Sequence, residues 1–313
     1  HVRAPAVSVV IPTRNRTEHL REAIDGLRAG TLQEFEVLIM DQSDDDSTKA
    51  MVSSLGDARL RYVRMPRKGA CPARNLGAAM ASAELVAWLD DDCTPLPDWL
   101  ERIRRAFARD TALQFVFGEL RPPQLAKEGG GYPEFRPGSF SPYQRRRHWK
   151  VAMVAAGANM STRKSFLRQV GGFDESLGPA RPDVKSNDDS MSYKVWRSGA
   201  KWVATSQIAV VHTNGFRGEE DLRALYLGYA HGLGVHYGRF VRRRDLRAAD
   251  LFLREQAELL RWPIGRLIRL QKPVGLRPWL AHLRGFVEGV RLSPPIGHVT
   301  GEVFRSIEVT RVP

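Results

Sequence analysis

The sequence of 313 residues has only two cysteines, Cys71 and Cys93. Two thiols make no disulfide framework, so stability must come from a core, and the scarcity suits a reducing, cytoplasmic compartment. No run of about 18 apolar residues occurs, which removes a membrane-spanning helix from the expectations. The chain opens HVRAPAVSVVIP, with neither an initiator Met nor a signal-peptide pattern, and reads as a trimmed chain. Acids are in deficit: 35 Asp and Glu stand against 48 Lys and Arg, a net charge of +13. That excess points to anionic partners such as polyphosphates or lipid surfaces, or else to an Arg-rich proteome. No nucleic-acid reader motif accompanies it, so nucleic acid is not expected. No internal repeat is visible.

What is present is an alternation of strand and helix patterns over the first 115 residues. AVSVVIP (6–12), FEVLIMD (35–41), LRYVRM (60–65) and LVAWLDDD (85–92) are short apolar runs of the kind buried in parallel strands. Between them, Thr17 is placed to cap a helix striped by Leu20, Ala23, Ile24 and Leu27, and further helices are expected near 47–55 and 70–82. This order predicts an α/β fold, a Rossmann-like, doubly wound, mostly parallel sheet with right-handed crossovers. Ligands of such sheets sit beyond the carboxyl ends of the strands, where Asp41 and the triplet Asp90, Asp91 and Asp92 fall. Residues 121–148 are rich in Pro, Gly and Arg without periodicity, a loop long enough to suggest function.

Three adjacent carboxylates at the end of a buried strand are costly unless something positive holds them. An oxygen-preferring divalent cation, Mg²⁺ or Mn²⁺, is the natural partner, commonly held by one or two carboxylates together with substrate phosphates. Strand alternation would turn Asp90 and Asp92 the same way and Asp91 elsewhere. A solvated acidic turn ahead of the helix that follows is the plainer reading of the same residues.

Seven segments narrow the choice: VSVVIPTRNR, VLIMDQSDDDST, KGACPARNLG, LVAWLDDDCTP, GANMSTRKSFLRQVGGFDE, NDDSMSYKVWRSG and AVVHTNG. In this order and spacing they resemble the family 2 glycosyltransferases, inverting enzymes of GT-A fold that use nucleotide-sugars. The resemblance covers residues 6–216 and implies a catalytic domain over 1–216, with a nucleotide-binding half (1–115) and an acceptor-binding half (116–216). A basic, mainly helical region (217–313) would follow. It further implies that Pro12, Thr13 and Arg14 line the nucleotide pocket and that Asp41 accepts a hydrogen bond from the base. Asp41 also suits a plain strand-end turn. Lys68 would contact the nucleotide or its phosphates, Asp90 and Asp91 would lie on the donor side, and Asn159 would stand beside the donor sugar. Asp92 would ligate the metal, with His212 as a second ligand. Asp188 would be the catalytic base, placed by its spacing to Trp196 and Gly199, with Asp189 as a substitute. Arg14, Lys68 and Arg145 to Arg147 would share the diphosphate charge. Asn187 and Ser190 depart from the family's Glu-Asp-x-Asp pattern, and Gln42 and Ser43 from its acid-rich run after Asp41, which leaves base preference open.

The activity so implied is metal-dependent, inverting transfer of a sugar, UDP-linked by the resemblance, to a glycan, lipid-linked or small-molecule acceptor in cell-surface glycoconjugate synthesis. A nucleotidyltransferase of similar fold is the alternative, although PTRNRTEH lacks the glycines its signature loop needs. A non-catalytic nucleotide-binding scaffold is the other. In the tail, residues 236–270 mix Arg with Leu, Phe and Trp at helical spacing. That suits helices lying on an anionic membrane surface, at the inner face of the plasma membrane, or packed as a subdomain or homodimer contact.

Overall fold

The strand runs form strands because they are apolar on both faces. In β1 (Val7–Thr13), Val7, Val9 and Ile11 enter one core and Val10 the other. After α1 (Thr17–Arg28), β2 (Phe35–Asp41) repeats the division, with Phe35, Val37 and Ile39 on the first side and Leu38 and Met40 on the second. The computed structural model describes residues 4–124, 128–137, 141–142, 157–175, 177, 187–269 and 276–292. The chain continues through α2 (Ser47–Ser54), β3 (Leu60–Arg64), α3 (Ala70–Met80), β4 (Leu85–Leu89), the short β5 (Thr94–Pro95), α4 (Trp99–Arg109) and β6 (Leu113–Arg121). Next come β7 (Gly130–Gly131), β8 (Ser141–Pro142), β9 (Asn159–Arg163), α5 (Lys164–Gln169), α6 (Asn187–Ser198), β10 (Lys201–Val211) and β11 (Arg217–Gly218). Three long helices follow: α7 (Glu219–Arg242), α8 (Leu246–Ile268) and α9 (Leu276–Arg291).

The main sheet runs β3-β2-β1-β4-β9-β6-β10-β5, with β8 also on β10. Pairings among β1, β2, β3 and β4 are parallel, as is β6 with β10, while β9 lies antiparallel between β4 and β6. The fold is therefore the expected α/β one, with helices on both faces of a mostly parallel sheet. One face buries Leu20, Ile24, Trp99, Ile103 and Phe107 from α1 and α4. The other buries Leu76, Phe166, Met191 and Val195 from α3, α5 and α6. Each such side chain contributes about 1.5–3 kcal/mol on burial. Thr17 is the first helical residue of α1 rather than its cap, and its hydroxyl lies 3.0 Å from that of Ser47 on α2.

From β1 the chain steps outward through β2 to β3 and then returns to place β4 on the other side of β1, so the crevice of this sheet falls at the carboxyl ends of β1 and β4. Asn15, just past β1, adopts a left-handed backbone (φ 55°). Its side chain bonds Asp44 in both directions, at 2.9 Å each, which locks the loops after β1 and β2 together.

Two C-terminal helices approach unusually closely. A Cβ on Gly234 would lie 2.0 Å from the His282 carbonyl oxygen, and one on Gly238 2.2 Å from that of Phe286. Gly285 and Gly289 return the relation against His231 and Val235. Glycine at these positions lets the α7 and α9 backbones come into direct contact, with no side chain between them. The extension is also tied to α6: Tyr193 donates to Asp245 at 2.9 Å and packs on Tyr237 and Phe240. Arg239 pairs with Asp174 at 3.1 Å, both buried. Among the described residues no helix is long and apolar enough to cross a membrane.

Candidate active site

β4 stops at Leu89, so Asp90, Asp91 and Asp92 form a turn, closed by the Cys93 N–H donating to the Asp90 carbonyl at 3.2 Å. Strand alternation therefore does not apply, and the expected pairing of Asp90 with Asp92 gives way to another division. Asp91 and Asp92 face the loop after β1, and Asp90 faces α3 and α6.

Around the first pair, Thr13 donates to Asp91 Oδ2 at 2.8 Å. Arg16 Nη1 donates to both Asp91 Oδ1 (3.1 Å) and Asp92 Oδ2 (3.2 Å). Burial pushes the Asp91 carboxyl up to about 6; Arg16 opposes this and the charge of Asp92 adds to it. Asp92 Oδ2 also lies 3.9 Å from Arg217 Nη2, and Asp92 Oδ1 lies 3.5 Å from His212 Nε2. Burial favours protonated Asp92, yet the His212 contact, with Arg16 and Arg217, holds it below the usual carboxylate range. His212 moves the other way: burial disfavours its charge, but Asp92 raises its pKa above the ordinary value. The imidazole is oriented from behind by Nδ1, which donates to the Pro133 carbonyl at 2.9 Å and turns Nε2 toward Asp92. Gly215 makes this fit, since a Cβ there would come within 2.1 Å of the ring.

Asp92, Cys93 and His212 each offer a ligand atom within 4.8 Å of the others. A carboxylate and an imidazole whose far nitrogen is already hydrogen-bonded suit Mn²⁺, and less closely the oxygen-preferring Mg²⁺. The Cys93 thiol is held protonated by burial and by the neighbouring carboxylates, well above its ordinary pKa. A divalent cation thus fits Asp92 and His212. The cations that neutralise Asp92 here, Arg16 and Arg217, mark the same place.

A second cluster is organised by Arg74 of α3, whose side chain is 4% exposed. Its Nη2 donates to Asp90 Oδ1 at 2.9 Å and its Nη1 to Asp188 Oδ1 at 3.1 Å. Asp188, in the first turn of α6, also accepts the Gly157 N–H on Oδ2 at 2.8 Å. Gly157 must be glycine for this, because a Cβ would lie 2.3 Å from the carboxylate. Burial raises the Asp188 pKa, Arg74 counteracts it, and the charge of Asp90 adds to the rise. A carboxyl shifted toward neutrality is what proton abstraction near pH 7 requires.

Other expected site residues take different places. Arg14 and Lys68 sit at the exposed mouth, where both pair with Asp44, at 3.4 and 2.9 Å. Pro12, half-buried, is the penultimate residue of β1, next to Thr13. Asp41 is fully buried: Oδ1 accepts the Ser43 N–H, and Oδ2 accepts from Tyr62 and Arg64. It is engaged as a strand-end turn residue and has no surface on the cleft. Asn159 is likewise buried, donating to the Glu119 and Ile208 carbonyls and accepting from Trp99 Nε1. It ties β9 to its neighbours rather than facing the donor space. Arg145 to Arg147 and the Asp189 side chain lie outside the described residues.

Comparison with known proteins bears on what this arrangement serves. The profile of the family described as "Glycosyl transferase family 2" matches residues 8–171, about half of the chain. The chain belongs to that family. It is 29% identical to the glycosyltransferase AglE of Haloferax volcanii over 55% of its own length and 57% of AglE. It is 24% identical to the glucosyl-dolichyl phosphate glucuronosyltransferase of the same organism, over 72% and 75% of the two chains. Among solved structures it resembles the mannosyltransferase PcManGT of Pyrobaculum calidifontis in complex with GDP-Man and Mn²⁺ (TM-score 0.59, 18% identity, 92% and 87% covered). It also resembles TarS of S. aureus (TM-score 0.55, 17% identity), covering 79% of this chain and 41% of TarS. The chain thus spans under two thirds of AglE and of TarS. At such identities the structural likeness concerns the fold, which is GT-A.

Arg74, Arg16 and Arg217 are residues of this cluster to which the sequence alone assigns no role. Arg74 stands within ACPARNLG, where a charged residue in an otherwise apolar helical stretch is the available signal.

Proposed function

We propose that this chain is a metal-dependent, inverting glycosyltransferase. It moves a sugar from a nucleotide-sugar, UDP-linked, to a hydroxyl of a glycan or lipid-linked acceptor in building cell-surface glycoconjugates. The observation that carries the reading is the division of the acids into two clusters, one suited to a cation and one to a proton. A divalent cation held by Asp92 and His212 would offset the charge that grows on the diphosphate as the glycosidic bond breaks. Asp188 takes the proton of the attacking hydroxyl. Its oxygens each have two acceptor positions, so the bonds from Arg74 and Gly157 orient the carboxylate while it receives a further donor. Arg74 opposes the effect of burial on that carboxylate and fixes its distance from Asp90, which faces the ribose or sugar. Arg14 and Lys68, tethered by Asp44, supply positive charge at the mouth.

The domains are a catalytic unit over 1–216 and a C-terminal region over 217–313, of which helix α7 packs against α6. The lipid-linked acceptor is favoured by exposed apolar residues on α8: Leu253, Ile264 and Ile268, which are 65%, 47% and 78% exposed. They alternate with Arg254, Arg261 and Arg269, a combination suited to an anionic bilayer surface.

The test is incubation with UDP-, GDP- and dTDP-sugars and Mn²⁺, following release of the nucleoside diphosphate. Release with one donor class, abolished by EDTA and by Asp92→Ala, supports the reading. Metal-independent release, or none with any donor, overturns it.

A further inference from the structure

We propose that Arg16 is a built-in placeholder for the cation, which leaves Asp92 when the metal binds and then grips the donor's diphosphate. The proposal rests on the metal-dependent reading above and assigns a role to a residue outside the expected ligand set.

Three observations carry it. Arg16 Nη1 bridges Asp91 Oδ1 and Asp92 Oδ2 at 3.1 and 3.2 Å, so its charge sits on one oxygen of the carboxylate whose other oxygen, Oδ1, lies 3.5 Å from His212 Nε2. That carboxylate is only 8% exposed, whereas the Arg16 side chain is 43% exposed and can swing outward without disturbing the core. Arg16 is also the residue just before the first turn of α1, a helix of 12 residues whose positive end faces the same space. A guanidinium on one oxygen of a carboxylate and a divalent cation on the other lie close enough to repel each other, so metal at Asp92 disfavours the Arg16 contact. A planar guanidinium released beside a helix N-terminus is suited to a phosphate, which it can hold with two parallel hydrogen bonds. Arg217, 3.9 Å from the same oxygen, is a weaker version of the same contact.

The scheme has a two-signed consequence. Without a nucleotide, Arg16 competes with the metal and weakens its binding. With the nucleotide present, Arg16 holds the diphosphate and strengthens the ternary complex. Couplings of this kind usually span about 5- to 150-fold.

The experiment measures Mn²⁺ binding by titration calorimetry and by the EPR signal of the free ion, in wild type, Arg16→Ala and Arg16→Gln. Circular dichroism confirms that each variant is folded. Mn²⁺ alone is expected to bind both variants more tightly than wild type, by at least about fivefold. UDP at saturating Mn²⁺ is expected to bind them at least about fivefold more weakly. Unchanged or weakened Mn²⁺ binding in both folded variants makes Arg16 a structural tie and overturns the proposal alone. Tighter Mn²⁺ binding without loss of UDP affinity removes the diphosphate role. Absence of Mn²⁺ binding by wild type, with or without UDP, overturns the metal-dependent reading and the proposal together.

Discussion

Replacing Arg74 by alanine should destabilise the protein in a manner that depends on pH. The Arg74 guanidinium is 4% exposed and bridges Asp90, 36% exposed, and Asp188, 24% exposed. Removing one member of a buried ion pair costs about 3–5 kcal/mol, and the partial exposure of the carboxylates places this case near the lower end. At about 2 °C per kcal/mol, that lowers Tm by about 6 °C at neutral pH. The sign of the pH effect follows from Asp188. Its folded pKa is raised, first by burial, with Asp90 adding and Arg74 opposing. A group raised in the folded state contributes stability below its unfolded pKa, about 3.9 for aspartate, and loses it as pH rises through the folded value. Without Arg74 the folded value climbs further, so the deficit of Arg74→Ala should be small at pH 4.5 and largest at pH 8. Chemical denaturation of both proteins across this range measures it, and Arg74→Lys, which keeps the charge, should recover part of the loss. A deficit that is the same at every pH would refute the reasoning.

Three other outcomes are expected. Asp188→Asn should lower turnover about 10²- to 10⁴-fold while leaving the donor dissociation constant nearly unchanged, by steady-state kinetics and calorimetry. Gly238→Val should lower Tm, because its side chain enters the Phe286 carbonyl of α9; overpacking of this kind costs about 1–3 kcal/mol or more. Sedimentation with vesicles should carry the protein down with anionic lipid and not with neutral lipid, and Leu253→Asp with Ile268→Asp should abolish it.

Much of the fold was legible because its signals are local. The continuous apolar runs of β1, β2 and β4 occur where a strand is covered on both sides, and their order dictates parallel pairing. The strand-end acids could be placed at one sheet edge for the same reason. Their division could not, since it depends on β4 stopping at Leu89 and on guanidiniums brought in from residues 16, 74 and 217. For Asn159 and Asp41 the family resemblance implies ligand contacts, whereas in the structure both side chains are buried and engaged within the protein. Their partners, Trp99, Glu119 and Ile208 for one and Tyr62 and Arg64 for the other, come from strands and helices distant in sequence. The contact of α7 with α9 was readable in principle, for Gly234 and Gly238 are four apart, as are Gly285 and Gly289. What the spacing lacks is any indication that the two pairs meet.

The most direct test of the account is an anomalous-scattering map from a crystal soaked with Mn²⁺ and UDP. The account predicts one strong manganese peak at coordination distance from the Asp92 carboxylate and His212 Nε2, with the UDP diphosphate on its open side. A peak elsewhere, or a nucleotide bound with no metal at Asp92, would contradict it.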